Sequence, residues 1–220
     1  MPKYGRTQVE RVQSHMAKKK YFYSFIKRLF DICASLVGSL LLIPVTIIVG
    51  LAIKLEDGGP IFFCQERLTK DGKPFKLIKF RSMVVNAEAL RDSLESQNEM
   101  DGPVFKVKND SRITKVGHFI RKTSIDELPQ VFNVLKGDIS VVGPRPPLVR
   151  EVEQYDDKAR RRLEVKGGLT CLWQIQPHRN TLTFDEWVDL DIEYIEKRSL
   201  WLDFVIILKT FGVLFTAQGE

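Results

Sequence analysis

Hydrophobic and polar positions are unevenly dealt along this chain. Residues 34–53 (ASLVGSLLLIPVTIIVGLAI) form an uncharged apolar run that no other stretch of the 220 residues matches. As a helix, such a run rises about 30 Å, enough to cross the hydrocarbon core of a bilayer. More than thirty residues precede it, and no small-residue cleavage site follows, so it is not a removable signal peptide. Pro44 stands at its centre, where it removes an amide donor and clashes with the preceding turn at a cost of ~3 kcal/mol, so a break or sharp kink is expected. Lys18, Lys19, Lys20, Lys27 and Arg28 precede the run, and Lys54, Arg67, Lys70, Lys73, Lys76 and Lys79 follow it. Both flanks therefore ask for the cytoplasmic side. A re-entrant helix that enters, turns at Pro44 and leaves on the same face satisfies both; the alternative is a kinked spanning anchor with its flanks on opposite faces.

Elsewhere the pattern is that of a water-facing body. Residues 1–17 lack an apolar period and read as a mobile tail, and residues 18–30 (KKKYFYSFIKRLF) place aromatics and cations at a membrane boundary. Two short segments, 61–65 and 74–82, surround the turn Thr69-Lys70-Asp71-Gly72 and predict a hairpin. A short polar helix is expected over 87–96, and a loop with a brief extended piece over 100–110, where Gly102 and Pro103 interrupt any helix. Apolar residues at spacings of three and four predict helices over 148–164 and 184–197. Residues 199–215 are strongly apolar yet hold Asp203 and Lys209, which suits a helix lying in the interface or packing on the body. The resulting expectation is an α+β, mostly helical, membrane-associated fold in three parts: a tail and interfacial segment (1–24), a re-entrant membrane helix (25–56) and a cytoplasmic domain (57–220).

Composition narrows the partners. With 44% hydrophobic and 28% charged residues the chain is not generally disordered, and its length suits one ordinary domain. A net charge of +6 favours anionic partners: phospholipid headgroups, nucleotides or nucleic acid. Cys33, Cys64 and Cys171 are odd in number and widely separated, which argues against a disulfide framework and fits a reducing, cytosol-facing body. His15, His118 and His178 have no metal-site spacing, and there is neither a Walker loop nor a dinucleotide glycine fingerprint.

Chemistry concentrates in residues 121–130, RKTSIDELPQ. Ser124 is placed to cap a helix and Glu127, three residues on, to close a capping box, with Asp126 in the first turn. A helix dipole there keeps a carboxylate ionised, and the same free amides attract phosphate. The plainer reading is that Asp126 and Glu127 serve only the helix. A carboxylate beside a diphosphate demands cations, and the chain offers Arg121, Lys79, Arg81, and Arg145 in the stiff turn Gly143-Pro144-Arg145-Pro146-Pro147; Mg²⁺ is the natural addition. Gly167-Gly168, Gln174 and the loop His178-Arg179-Asn180 add polar groups near Trp173, suited to a sugar or a base.

These motifs occur in a recognisable order: KRLFD, the Pro-broken apolar run, QERLTKDGKPFKLIKFRSM, IRKTSIDELPQVFNVLKGDISVVGPRPPL, KGGLTCLWQ and LDIEYIEKRSLWLDFVIILKT. From about Phe25 to its C-terminus the chain resembles the catalytic unit of bacterial polyprenyl-phosphate hexose-1-phosphate transferases, the monotopic phosphoglycosyl transferases of capsule, exopolysaccharide and O-antigen initiation. The resemblance implies that Asp126 attacks the sugar-linked phosphate of a UDP-sugar and expels UMP, forming a covalent intermediate that polyprenyl phosphate then resolves. It further implies Mg²⁺ at Asp126 and Glu127, with Glu127 assisting metal binding or proton handling. Arg67, Lys79, Arg121, Gln130, Arg145, Pro146, Gln174 and Arg179 would bind phosphate or substrate, and Pro44 would be the helix break.

The implied place is the bacterial inner membrane, catalytic domain on the cytoplasmic face, with donor, acceptor and phospholipid bilayer as partners, no nucleic acid, and a homodimer left open. The extra N-terminal spans and soluble domain of longer relatives are not in this sequence, which reads as a minimal form. Two departures bear on sugar preference: Gln176-Pro177-His178-Arg179 where many relatives carry Gly-Arg, and Gly167-Gly168 where Pro-Gly is usual. The sequence leaves the hexose open. Of two rivals, a basic module binding nucleic acid or acidic lipid would have no use for Asp126, and in a silent scaffold of an assembly complex the Asp-Glu pair would be only a helix cap, so Asp126→Asn separates all three.

Overall fold

The apolar run lies within one long helix, α1 (Tyr4–Asp57), in a computed structural model that describes residues 4–107, 109–179 and 181–215, with side chains from 21 to 213. Residues 4–17, expected as a tail, are thus the first turns of this helix. Pro44 sits inside α1, and helical backbone continues through it. Residues 21–57 are long and apolar enough to cross a membrane by length and composition.

From Tyr23 to Asp57, one stripe of α1 docks on the body. Tyr23, Lys27, Asp31, Ser35, Gly38, Leu42, Val49, Ile53 and Asp57 recur at steps of three, four or seven, which keeps them on one face of a 3.6-residue helix. The opposite stripe, Leu36, Leu40, Ile43, Ile47 and Leu51, is exposed. At the N-terminal end Lys27 pairs with Asp203 at 2.8 Å, Arg28 donates to the Val134 and Leu135 carbonyls at 2.7 Å each, and Asp31 accepts from Ser140 Oγ and the Val141 amide at 3.0 Å. At the other end Glu56 Oε1 accepts from the Lys115 amide at 2.7 Å, and Asp57 pairs with Arg81. Between these staples Leu42, Val49 and Ile53 bury against Phe80 and Ile120.

The expected hairpin is present, its first strand running three residues further and its second ending two residues earlier than predicted: β1 (Phe62–Leu68) pairs antiparallel with β2 (Pro74–Phe80), Phe62 opposite Phe80 and Leu68 opposite Pro74. Asp71 and Gly72 turn the chain at φ of 58° and 71°, a left-handed conformation that an Asp-Gly pair tolerates. The polar helix expected over 87–96 is instead a series of turns ending in a 3₁₀ helix, Asp92–Gln97. Next come α2 (Lys115–Lys122), the 3₁₀ helix Ile125–Gln130, α3 (Val131–Lys136) and β3 (Ser140–Val142). The helix expected over 148–164 is broken into α4 (Val149–Val152), α5 (Asp157–Arg160) and a last 3₁₀ turn, because Asp156 interrupts it to accept the Ala159 amide at 2.7 Å as a new cap.

β4 (Gly168–Thr170) pairs parallel with β3, in register Ser140 with Gly168 and Val142 with Thr170. A β-carbon on Gly168 would stand 2.1 Å from the Gly143 nitrogen, so only glycine permits this approach. α6 (Phe184–Lys197) matches its prediction, with Thr183 and Glu186 forming a reciprocal capping box. α7 (Leu200–Phe215) packs on the body, one of the two courses expected for it. Asp203 and Ile206 face inward, where Asp203 also accepts from Tyr23 at 2.9 Å and Tyr194 at 2.8 Å, while Trp201, Phe204, Leu208 and Phe211 are exposed.

Candidate active site

The segment carrying Asp126 is held against the hairpin by Asn133. Its amide group donates to the Lys76 carbonyl at 2.7 Å and its Oδ1 accepts from the Ile78 amide at 3.0 Å, so α3 continues the hydrogen-bonding edge of β2 with a side chain. Asn133 is buried, and losing either bond would leave a backbone group of β2 unsatisfied. This brace brings the 3₁₀ helix Ile125–Gln130 over the end of β2, where Lys79 projects. Sequence reasoning missed Asn133; its only signal was a polar residue among the apolar positions of VFNVLK.

The capping box expected at Ser124 does not form. Ser124 is left-handed, at φ 54° and ψ 18°, whereas an N-cap needs extended backbone, and its side chain caps nothing. The preceding helix α2 has its own cap, Thr114, whose Oγ1 accepts from the Gly117 amide at 2.9 Å. The turn at Ser124 redirects the chain, so Asp126 points into a cavity and Glu127 reaches Lys79. A non-glycine residue in this conformation is strained, and such strain gathers at functional positions.

Lys79 Nζ lies 2.6 Å from Glu127 Oε1 and 4.0 Å from Asp126 Oδ2. Asp126 is 7% exposed. Burial pushes its carboxyl up to about 6, against the pull of Lys79 and with a further push from Glu127. For Glu127 burial also acts upward, but the Lys79 ion pair and hydrogen bond, with Arg145 and Arg67 behind them, outweigh it and hold the carboxyl below its ordinary value. Two adjacent carboxylates are thus driven apart: one is firmly ionised and the other is poised to titrate near neutrality.

A cavity of about 220 Å³ opens at Asp126, lined by Lys79, Arg121, Ser124, Glu127, Arg145, Gln174 and Arg179. A smaller one adjoins it, sharing Lys79, Glu127, Arg145 and Gln174 and adding Arg67, Gln130, Pro146 and the Gly168-Leu169 backbone. All ten residues expected to act on substrate meet at these two cavities; Pro44 lies away from them on α1. Arg81, also offered from the hairpin, turns instead to Asp57 and to the Pro60 carbonyl. Five cations face two carboxylates, the charge balance that a diphosphate requires.

The cations are individually placed. Arg67, buried on β1, gives Nε and Nη2 to Gln65 Oε1 at 3.2 and 2.8 Å and Nη1 to the Pro146 carbonyl at 2.9 Å. Burial and the neighbouring Arg145 pull Arg67 down to about 9, which leaves it charged at neutral pH. Beneath the turn that bears Arg145, the buried Arg162 pairs with Asp191 at 2.7 Å, donates to Tyr155 Oη at 2.6 Å and reaches the Arg145 carbonyl at 3.4 Å. Arg179 donates to the Gln174 carbonyl at 3.3 Å, and Gln174 Oε1 accepts from the Cys171 amide at 3.1 Å. Among the described residues no three metal-ligating side chains gather. The dyad supplies two carboxylates, which fits an Mg²⁺ that keeps waters and takes its other ligands from a diphosphate.

Residues 22–217 match the bacterial sugar transferase family. The galactosyl transferase CpsE of Streptococcus agalactiae is 48% identical over 91% of this chain, and the undecaprenyl-phosphate galactose phosphotransferase of Salmonella typhimurium 43% identical over 95%. The chain spans less than half of each, 44%. Against the exopolysaccharide production protein ExoY of Rhizobium meliloti it is 38% identical, and there the alignment covers 88% of this chain and 87% of the relative. Matched along nearly its whole length by sequence, and carrying its paired carboxylates in a cationic cavity, this chain belongs to the bacterial sugar transferase family.

Proposed function

We propose that the protein transfers a sugar 1-phosphate from a UDP-sugar to polyprenyl phosphate and releases UMP, with Asp126 as nucleophile. The observation that carries this reading is the buried Asp126 in a cavity lined by Lys79, Arg121, Arg145 and Arg179, on a segment whose Ile125 and Val131 pack against the apolar helix. Relatives named for undecaprenyl-phosphate galactose and glucose-1-phosphate transfer lend it support.

In the first half-reaction an Asp126 carboxylate oxygen bonds to the sugar-linked phosphorus. The bridging P–O bond breaks, and its electron pair leaves with UMP. In the second, an oxygen of polyprenyl phosphate attacks the same phosphorus, and the electron pair of the aspartyl–phosphate bond returns to Asp126. Each step is phosphoryl chemistry, in which positioning and charge stabilisation do most of the work. Lys79, Arg121, Arg145 and Arg179 would hold the diphosphate, Arg67 would support the second cavity, and Glu127 keeps Lys79 aimed at the reacting centre. Mg²⁺, held by Asp126, Glu127 or both, would neutralise the diphosphate and stabilise the leaving group.

A re-entrant helix with both flanks on the cytoplasmic face is supported by the staples of α1. Lys27 and Asp57 end the apolar stretch on opposite sides, and each pairs with the same body. A straight helix between them would be about 45 Å long, and a bilayer-spanning course would pull one staple through the membrane.

Intact-mass spectrometry after incubation with a panel of UDP-sugars and Mg²⁺, without acceptor, tests the mechanism. A sugar-phosphate adduct mapping to Asp126 and missing from Asp126→Asn is expected; UMP release by the Asp126→Asn protein at wild-type rate would refute it.

A further inference from the structure

Residues 119–132 have three surroundings. Ile120, Ile125 and Val131 pack into the cluster of Leu42, Val49 and Ile53 on α1, and a β-carbon on Gly38 would stand 3.3 Å from Val131. Arg121, Ser124, Asp126 and Glu127 line the larger cavity. Phe119, Leu128 and Phe132 belong to neither group and are 62%, 36% and 42% exposed. Exposed apolar residues scattered singly need no explanation, but these three are interleaved with residues that touch the membrane helix and residues that touch the nucleophile. On α1, which this stretch packs against, the outer stripe with Leu40 and Ile47 is exposed as well.

Polyprenyl phosphate is a phosphate dianion on a long hydrocarbon tail, so its two ends need opposite surroundings at once. The cavity supplies the cations. The stretch 119–132 joins that cavity to the helix expected in lipid, and three of its four exposed side chains, Phe119, Leu128 and Phe132, are apolar, the fourth being Lys122. We propose that Phe119, Leu128 and Phe132 form the acceptor's lip, across which the isoprene units of polyprenyl phosphate lie while the phosphate reaches the sugar-phosphorylated Asp126. This rests on the transferase reading and assigns it a route for the lipid. Burial of Leu or Phe side chains against hydrocarbon would then favour long-chain acceptors.

The test compares kcat/KM for undecaprenyl phosphate with that for dimethylallyl phosphate, which has a single isoprene unit, both in detergent micelles so that bilayer docking does not enter. Leu128→Gln and Phe132→Gln should each lower the long-to-short ratio by on the order of tenfold, and Phe132→Leu should retain it. UMP release without acceptor is read in the same samples. An unchanged ratio in both glutamine variants of an active enzyme would overturn the lip and leave the transferase standing. Equal loss with both acceptors and in acceptor-free UMP release would assign these residues to the fold and overturn it as well. A wild type that releases no UMP from any donor would fail the transferase reading itself.

Discussion

The Lys79 ammonium stands 2.6 Å from the Glu127 carboxylate. It is also 4.0 Å from Asp126, whose burial it opposes. Removing the charge with Lys79→Met would leave two adjacent carboxyls without their shared cation, so the Asp126 pKa should rise further. We expect UMP release at neutral pH to slow by on the order of 100-fold, with part of that loss recovered in alkali. Single-turnover measurements across pH check this; a loss of the same size at every pH would mean that Lys79 does not set the charge of the nucleophile.

In the proposed mechanism the attacking group is the Asp126 carboxylate, whose burial lifts its carboxyl to about 6. The acid limb of kcat/KM for the donor, which reports the free enzyme, should therefore turn over near pH 6, two units above an ordinary aspartate, and fall about tenfold per unit below it. A limb near pH 4 would show that Asp126 is not held in the way its burial implies.

The same burial makes Asp126 a liability for the fold. Its folded-state value lies above the ordinary 3.8, so the folded protein binds the proton more tightly than the unfolded chain. The penalty is absent below about pH 4, grows as pH rises through the interval, and is complete above about pH 6. Asp126→Asn should therefore stabilise the protein by about 1–3 kcal/mol at pH 7.5 while abolishing the donor half-reaction, and the gain should shrink as pH falls. Thermal unfolding in detergent at pH 7.5 and pH 4.5 measures both.

Asp31 ties α1 to β3 by accepting from Ser140 Oγ and the Val141 amide, in a site only 3% exposed. Asp31→Ala removes the acceptor and strands both donors, so a loss of about 2–3 kcal/mol is expected. Asp31→Asn keeps one acceptor oxygen and should lose less. Chemical or thermal unfolding of the two variants, side by side, decides.

Cysteines placed just before residue 34 and just after residue 53, in a chain with Cys33 and Cys64 replaced by Ser, report the membrane course. Both native thiols are exposed and would otherwise react. Labelling of both new sites from the cytoplasmic side is the expected result, and labelling from opposite sides would replace the re-entrant helix by a spanning one.

Much of the site was legible because its residues fall in short motifs. Asp126 and Glu127, the Arg145 turn and the Gln174 and Arg179 loop could be named before their spatial relation was known, and the hairpin and α6 followed from turn chemistry and period. What escaped depended on contacts across the chain. Ser124 follows the rule for a cap, yet tertiary packing turns it left-handed and makes it a cavity wall. Arg81 looked like a second phosphate-facing cation beside Lys79, but it lies past the strand end, where Asp57 claims it. Asn133 showed only as a polar residue within VFNVLK, and its role stayed hidden because its partners are 55 and 57 residues away. The breaks that divide residues 148–164 come from caps that periodicity does not see.

Because α1 contributes Leu42, Val49 and Ile53 to the same cluster as Phe80 and Ile120, the hydrophobic helix is not a tether that could be cut off. A truncation beginning after Asp57 would uncover that cluster and the Ile125 and Val131 side chains flanking the dyad, and would delete the acceptors that satisfy Ser140, Arg81 and the first amide of α2. Solubilising the protein by trimming its apolar end would therefore dismantle the cavity that holds Asp126. The apolar helix and the segment that bears Asp126 and Glu127 form one folding unit, so a preparation that keeps the site has to keep the helix and whatever covers its exposed apolar stripe.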